Sequence, residues 1–228
     1  MTYDQVSFKE IRVSYTPELE GGGHQFGQAY VPFVRENMGR VGRLLEWCAG
    51  PGFIGFSLLS EGLCDSLDLA DINEQAVPVV ADTVRANGLD GRVRFHVSDC
   101  FARIPDGAAW DLVIGNPPHV NSEDAQTEYR RQHSPLIWQD NDWAIHRRFY
   151  REVGAHLMPG GSVVLQENRR FSAPEDFKGL IEESGLEVVG VFDCGPGYED
   201  YYFLWSKLPA VANGSSTDLP SADRGQAG

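Results

Sequence analysis

The stretch that most constrains this chain is Leu44-Leu45-Glu46-Trp47-Cys48-Ala49-Gly50-Pro51-Gly52-Phe53-Ile54-Gly55. The run from Val41 to Cys48 reads as a strand. A helix is predicted to start near Gly52, with Phe53, Ile54, Phe56, Leu58 and Leu59 supplying apolar surface. Between the two, Gly50, Gly52 and Gly55 fit G-x-G-x-x-G. Glycines there let a ligand approach the backbone closely, and the helix N-terminus favours negative charge. About 20 residues on, Asp71 closes the next apolar run, where a carboxylate can accept hydrogen bonds from ribose hydroxyls. A nicotinamide dinucleotide and S-adenosylmethionine (SAM) would both use such a frame. Glu46 separates them: a buried carboxylate beside the loop would repel a pyrophosphate and favour the α-amino and sulfonium charges of SAM. The plainer roles are an ordinary glycine loop, and a Glu46 that caps its strand or bonds a neighbouring amide.

The rest of the pattern continues the alternation expected of an α/β fold. Leu63 to Leu69 reads as a strand, and Glu74 to Ala86 as a helix with Val77, Val80, Ala81 and Val84 on one face, ended by Asn87-Gly88. Val93 to Val97 and Trp110 to Gly115 are strands, the second an apolar run of the kind buried in parallel sheets. Residues 116–143 are too long for a connector and are expected to have a function. A helix from Trp143 to Leu157, ended by Pro159-Gly160-Gly161, precedes a strand from Ser162 to Gln166. Ser172 is expected to cap the next helix, with Pro174 in its first turn and Gly185 after its end. Leu186 to Phe192 and Tyr201 to Trp205 complete the strands. The domain reading is an N-terminal arm over residues 1–40 that caps the substrate, a catalytic domain over 41–208, and a disordered tail over 209–228.

With 228 residues and 42% hydrophobic content, the chain suits one core. A net charge of −14 argues against a nucleic-acid partner, which needs a basic face, and tolerates a small or cationic substrate. Cys48, Cys64, Cys100 and Cys194 include no CxxC spacing, so no metal site is expected; free thiols fit a reducing cytoplasm. The N-terminus reads as no signal peptide, and no apolar run is long enough to span a membrane.

Four motifs carry a resemblance to the class I SAM-dependent methyltransferases over roughly residues 41–207. LLEWCAGPGFIG resembles their first motif. LADINEQAV resembles the second, which implies Asp71 as the ribose acid with Ile72 and Asn73 beside the adenine. VSDCF resembles the third, with Asp99 near the adenine amino group and Cys100-Phe101 along its face. Asn116-Pro117-Pro118-His119, directly after a strand, resembles the (D/N/S)PP(Y/F/W/H) motif of members that methylate nitrogen. The resemblance implies a Rossmann-like fold with a mostly parallel seven-stranded sheet and helices on both faces. It also implies SAM as cofactor, held by Glu46, Cys48, Gly50, Gly52, Asp71, Ile72, Asn73, Asp99 and Cys100.

The chemistry explains the motif. An amide or amino nitrogen has its lone pair delocalised into a π-system. If the Asn116 side-chain oxygen and the Pro117 carbonyl accept its N–H bonds, the lone pair localises toward the methyl group, and the prolines hold both acceptors rigid. His119 can stack on a planar target or accept a proton near neutral pH; packing alone is its plainer role. Asn116, Pro117 and His119 are therefore the expected catalytic residues.

For the acceptor, the polar segment Glu123, Asp124, Glu128, Arg130, Arg131, His133, Asp140, Asp142 and the strand end Gln166-Glu167-Asn168 are expected at the same rim as Gly195 to Asp200. Asp140, Glu167 and Asn168 are expected to bind substrate, Glu167 being a second candidate base. Arg169, Arg170 or Arg131 could clamp a carboxylate. About 40 residues precede the first motif, against the separate helical domain of glutamine methyltransferases. The favoured acceptor is accordingly a small nitrogenous metabolite bearing a guanidine or amine. A protein side chain such as glutamine is the alternative, and a non-catalytic SAM-binding partner module the alternative of another class. A homodimer is compatible with the sequence.

Overall fold

Short apolar segments divided by turn residues set strands and helices in alternation. In the computed structural model, which describes residues 3–21, 23–121 and 134–209, a hairpin of β1 (Asp4–Phe8) and β2 (Ile11–Tyr15) comes first. Then follow α1 (Gly23–Asn37), β3 (Val41–Trp47), α2 (Phe53–Ser60), β4 (Cys64–Asp71), α3 (Ala76–Ala86), β5 (Val93–Val97) and β6 (Trp110–Gly115). The second half holds the one-turn α4 (Pro135–Trp138), α5 (Ala144–Val153), β7 (Leu157–Asn168), α6 (Pro174–Glu183), β8 (Glu187–Asp193) and β9 (Tyr201–Lys207).

Seven strands form one sheet in the order β5-β4-β3-β6-β7-β9-β8. β9 lies antiparallel between β7 and β8, and the other neighbours run parallel. This is the expected Rossmann-like arrangement. The central strands are apolar throughout because both faces are covered. Leu44, Leu112 and Val164 join the core under α1 and α2; Leu45, Val113 and Val163 join the core under α5 and α6. The strand order reverses between β3 and β6, so the connections after these two strands leave in opposite directions and open a crevice at their carboxyl ends.

Four segments differ from the sequence expectation. Residues 4–15 form a hairpin that packs on the domain: Ser14 donates its N–H to Thr83 Oγ1 (2.9 Å) and its hydroxyl to Asp82 (2.8 Å), and Phe8 and Val13 enter the main core. Residues 23–37, with Pro32 inside, are helical, and α1 lies against α2. The expected helix from Trp143 is shorter at both ends. Asp142 and Trp143 have φ of 54° and 53°, which no helix accommodates, and Leu157 already pairs with Trp110. Pro159-Gly160-Gly161 is therefore an irregularity inside β7, where a Cβ on Gly161 would come 3.0 Å from the Trp110 carbonyl oxygen. Ser172 does not cap α6. Its hydroxyl donates to the Asn168 carbonyl (3.2 Å), and Asp176 accepts the Ala173 N–H instead (2.8 Å). Among the described residues, no helix is long and apolar enough to cross a membrane. The expected tail lies outside them beyond residue 209.

Candidate active site

A cavity of about 260 Å³ opens at the carboxyl ends of β3, β4 and β6. Glu46 and Cys48 enter it from β3 and its turn, with Gly50 from the glycine loop. Asp71, Ile72 and Asn73 follow β4; Asp99 and Cys100 follow β5; Asn116 and Pro118 follow β6. Glu18, Leu19 and Gly21 close one side, and Leu136, Ile137 and Ile145 the other. The two sides meet where Gly21 lies against Ile137: a Cβ there would be 3.0 Å from the Ile137 Cγ2.

The loop is held from behind by carboxylates. Asp71 accepts the Gly50 N–H (2.7 Å) on one oxygen and the Asn73 N–H (2.8 Å) on the other. Burial pushes its pKa up, against the pull of those amides. Gly50 has φ of 49° and Gly52 of 85°, the left-handed region that favours glycine. Gly52 is not on the cavity wall; it packs on Leu69 and Phe56, so its role is to shape the loop. Gly55 leaves room for Glu46, whose Oε2 would stand 2.8 Å from a Cβ there.

Glu46 is 2% exposed and bonds neighbouring amides at the start of α2, accepting from Gly55 (2.6 Å) and Ile54 (3.4 Å), while still bordering the cavity. Burial outweighs those two amides and raises its pKa to about 8. Without a cation the folded protein thus keeps this proton at neutral pH, whereas the unfolded chain has lost it. Its contribution to stability is full below the ordinary carboxylate range and is lost as pH rises through about 8.

Asn116 follows Gly115, whose carbonyl accepts the Tyr30 hydroxyl (2.6 Å) from α1. The Asn116 Oδ1 is buried and, among the described residues, has no hydrogen-bond partner. Such an orphan is costly unless something else supplies the donor. Pro117 is buried, and Pro118 rather than Pro117 or His119 reaches the cavity wall. The His119 ring lies nearly parallel to Phe171 (6.2 Å, 16°) and edge-on to Tyr201 (6.1 Å). Burial lowers its pKa to about 4, with the charge of His146 acting the same way, so the ring is neutral at physiological pH. Its surroundings favour stacking over the expected role as a base near neutral pH.

Several other expected contacts are differently engaged. Asp99 borders the cavity but is paired with Arg148. Phe101 faces the core, stacked on His156, rather than the cavity. Arg169 pairs with Asp193 and Arg170 with Asp200, both at 2.6 Å, so neither is spare as a carboxylate clamp. Asn168 turns its oxygen onto the Arg170 N–H (2.9 Å). Asp140 and Glu167 are fully buried and bond His146 from opposite sides, instead of lining the cavity. Arg131, Glu123, Asp124, Glu128, Arg130 and His133 lie outside the described residues.

Sequence reasoning missed His146. The signal was present: His146, Phe149, Tyr150 and Val153 share the buried face of α5 at helical spacing, so the histidine sits on a core stripe. It also missed Tyr30, for which the sequence carries no signal.

The family model described as "Methyltransferase small domain" matches residues 28–187. The chain belongs to the methyltransferase small domain family. That places it among the class I SAM-dependent methyltransferases. It is 32% identical over 133 residues to a ribosomal protein uL3 glutamine methyltransferase of Bradyrhizobium diazoefficiens, covering 57% of this chain and 41% of that protein. It is 28% identical over 173 residues to a release factor glutamine methyltransferase of Cereibacter sphaeroides, covering 74% and 60%. This family member therefore spans about half the length of those curated relatives. A glycopeptide N-methyltransferase solved with SAM superimposes with a TM-score of 0.62 at 16% identity, covering 81% and 94%; this likeness supports the fold.

The residues present in this methyltransferase small domain fit SAM, the cofactor of the class. Glu46 is a buried carboxyl that gains from a cation, Asp71 keeps lone pairs toward the cavity, and the glycine turn leaves the backbone open. The two curated relatives are named for glutamine methylation.

Proposed function

We propose that this protein is a SAM-dependent N-methyltransferase whose acceptor is a side-chain amide nitrogen of a protein, glutamine first. The observation that carries the reading is the buried, unpartnered Asn116 Oδ1 beside the cavity. An amide NH₂ has two N–H donors. Asn116 Oδ1 would take one and the Pro117 carbonyl the other, alongside the hydrogen bond His119 makes to Pro117, which would turn the nitrogen lone pair out of conjugation. Two prolines and the Tyr30 contact to Gly115 hold these acceptors before substrate arrives. Bound SAM supplies an electrophilic methyl group. Glu46 would hold its ammonium, Asp71 its ribose hydroxyls, and Ile72, Asn73, Asp99 and Cys100 would border its adenine. Neutral His119, packed against Phe171 and Tyr201, would brace the motif rather than act as a base. The nitrogen–methyl bond would form as the methyl–sulfur bond breaks, leaving a neutral thioether, and the strongly acidic extra proton on the nitrogen would then pass to water, so an amide needs no strong base.

The Glu46 role has a direct test. Its pKa near 8 means that it is mostly protonated in the free protein at pH 7. A bound ammonium favours the carboxylate, so binding releases close to one proton, and affinity rises between pH 6 and 8. Calorimetry at pH 7 in buffers of different ionisation heat counts that proton. Glu46→Gln is expected to abolish the release; an unchanged release in that variant contradicts the assignment.

Substrate class is tested with labelled SAM against a glutamine-bearing peptide library alongside free amino acids, guanidines and small amines. Label is expected in glutamine peptides. Label confined to the free amines and guanidines would overturn the glutamine reading and restore the small-metabolite expectation.

A further inference from the structure

Behind the cavity wall, three ionisable side chains run in a line through the interior. Asp140 is 1% exposed, and His146 and Glu167 are 0% exposed. His146 Nδ1 lies 2.6 Å from Asp140 Oδ2, and its Nε2 lies 3.0 Å from Glu167 Oε1. The ring is enclosed by Trp47 from β3, Trp143 before α5 and Phe177 from α6. The titratable groups facing it are Asp140, Glu167 and, from the NPPH segment, His119. Cys48 feels the charges of Asp140 and Glu167, and Tyr150 that of Glu167; burial raises the pKa of both and keeps them neutral.

The proposed methylation chemistry makes no use of this triad, yet its connections lead to the site. Asp140 also accepts the backbone N–H of Ile145 (2.8 Å) and of His146 (3.1 Å), which caps α5 after the left-handed pair Asp142-Trp143. The Asp140 N–H donates to the Val120 carbonyl (3.1 Å), and the Val120 N–H to the Trp138 carbonyl (2.9 Å). Val120 directly follows His119, while Leu136, Ile137 and Ile145 form one side of the cavity.

We infer that His146 is a positioning residue: as an imidazolium donating to Asp140 and Glu167 at once, it ties the NPPH exit and the Leu136–Ile145 wall to the end of β7. Donor count favours the imidazolium. A neutral imidazole has one N–H, so it can serve only one of the two carboxylates and would turn a lone pair toward the other. Two buried carboxylates around a neutral ring are strongly disfavoured; burial raises the Glu167 pKa, and the charge and hydrogen bond of His146 pull it back toward the carboxylate. Glu167 has no second anchor, since its Oε2 has no hydrogen-bond partner among the described residues.

The pH dependence follows with a definite sign. Burial opposes the charge, but Glu167 and Asp140 together hold the His146 pKa up to about 9. An unfolded histidine titrates near 6.5. The stabilisation is thus full below about pH 6.5 and is lost as pH rises through about 9.

The inference concerns how the proposed site is held, and its test reads structure rather than turnover, so it stands or falls apart from the methyl acceptor. Peptide-resolved hydrogen exchange on the full chain is followed from pH 7 to 10, corrected for intrinsic rates, in a Glu46→Gln background that silences the neighbouring titration. Protection over residues 116–121 and 138–146 is expected to fall by up to about tenfold per pH unit between pH 7 and 9 and to level off above 9, with β4 and β5 unchanged. Glu167→Gln keeps the geometry with a neutral ring: the Gln amide donates to Nε2 and Nδ1–H donates to Asp140. In that variant the alkaline loss is expected to vanish. Loss of equal size in Glu167→Gln, or no local loss in the parent, overturns the inference. A second measurement needs no variant at this cluster. Nitrogen-15 shifts of the His146 ring are expected to show two N–H groups at pH 7.5, and a ring with one overturns it equally.

Discussion

Asp71→Ala is expected to weaken SAM binding by about 2–4 kcal/mol, roughly 30- to 1000-fold in Kd. Two effects add. The first is loss of the carboxylate proposed to accept the ribose hydroxyls, and hydrogen bonds to a charged acceptor are the strong ones. The second is internal: Asp71 holds the Gly50 N–H at 2.7 Å and the Asn73 N–H at 2.8 Å, so its removal releases the glycine loop and the Asn73 side of the cavity together. Asp71→Asn separates the two. Its amide retains one acceptor oxygen but turns a donor onto the other backbone N–H, so the loop is half released and affinity falls between wild type and Asp71→Ala. Calorimetry on variants with native thermal unfolding reads this. An Asp71→Ala variant that folds and binds SAM with wild-type affinity would falsify the cofactor assignment.

How much of this was legible depends on whether a feature is local. β5 and β6 were readable to the residue, because Val93–Val97 and Trp110–Gly115 are short apolar runs bounded by turn residues. The cavity was legible for the same reason: in an open α/β sheet the motif residues follow the strands directly, and the topology brings those strand ends together. The helix α1 was not, since it starts at glycine and contains Pro32, both of which read as breaks. The left-handed pair Asp142-Trp143 was equally invisible; it persists because Asp140 caps the helix behind it and Asn121 accepts the Asp142 N–H (2.6 Å).

The acidic residues show the opposite error. Asp140 and Glu167 look like surface charge in a chain of net charge −14, and were placed at the substrate rim. Their common partner is 6 residues from one and 21 from the other, on a helix between them. Charge patterning reports what a residue is, whereas its partner is set by packing. His119 is a related case. Its residue type allows a base near neutral pH, but burial removes that option by lowering the pKa to about 4.

The central claim is that Asn116 presents a preorganised acceptor to the nitrogen that is methylated. A partner-seeking oxygen, buried directly after β6 and fixed by two prolines, makes a hydrogen bond that is worth most when the lone pair must be turned toward the methyl group. Asn116→Ala removes that acceptor and little else, since the side chain's oxygen bonds nothing in the protein itself among the described residues. Loss of one preorganised polar contact of this kind costs about 10²–10³ in rate. The decisive measurement is single-turnover methyl transfer from labelled SAM to the acceptor found in the peptide panel, with SAM affinity measured on the same preparations. The account predicts a fall of about 10²–10³ in the transfer rate, with SAM binding within about twofold of wild type. Transfer at the wild-type rate in Asn116→Ala, with SAM bound normally, would contradict it.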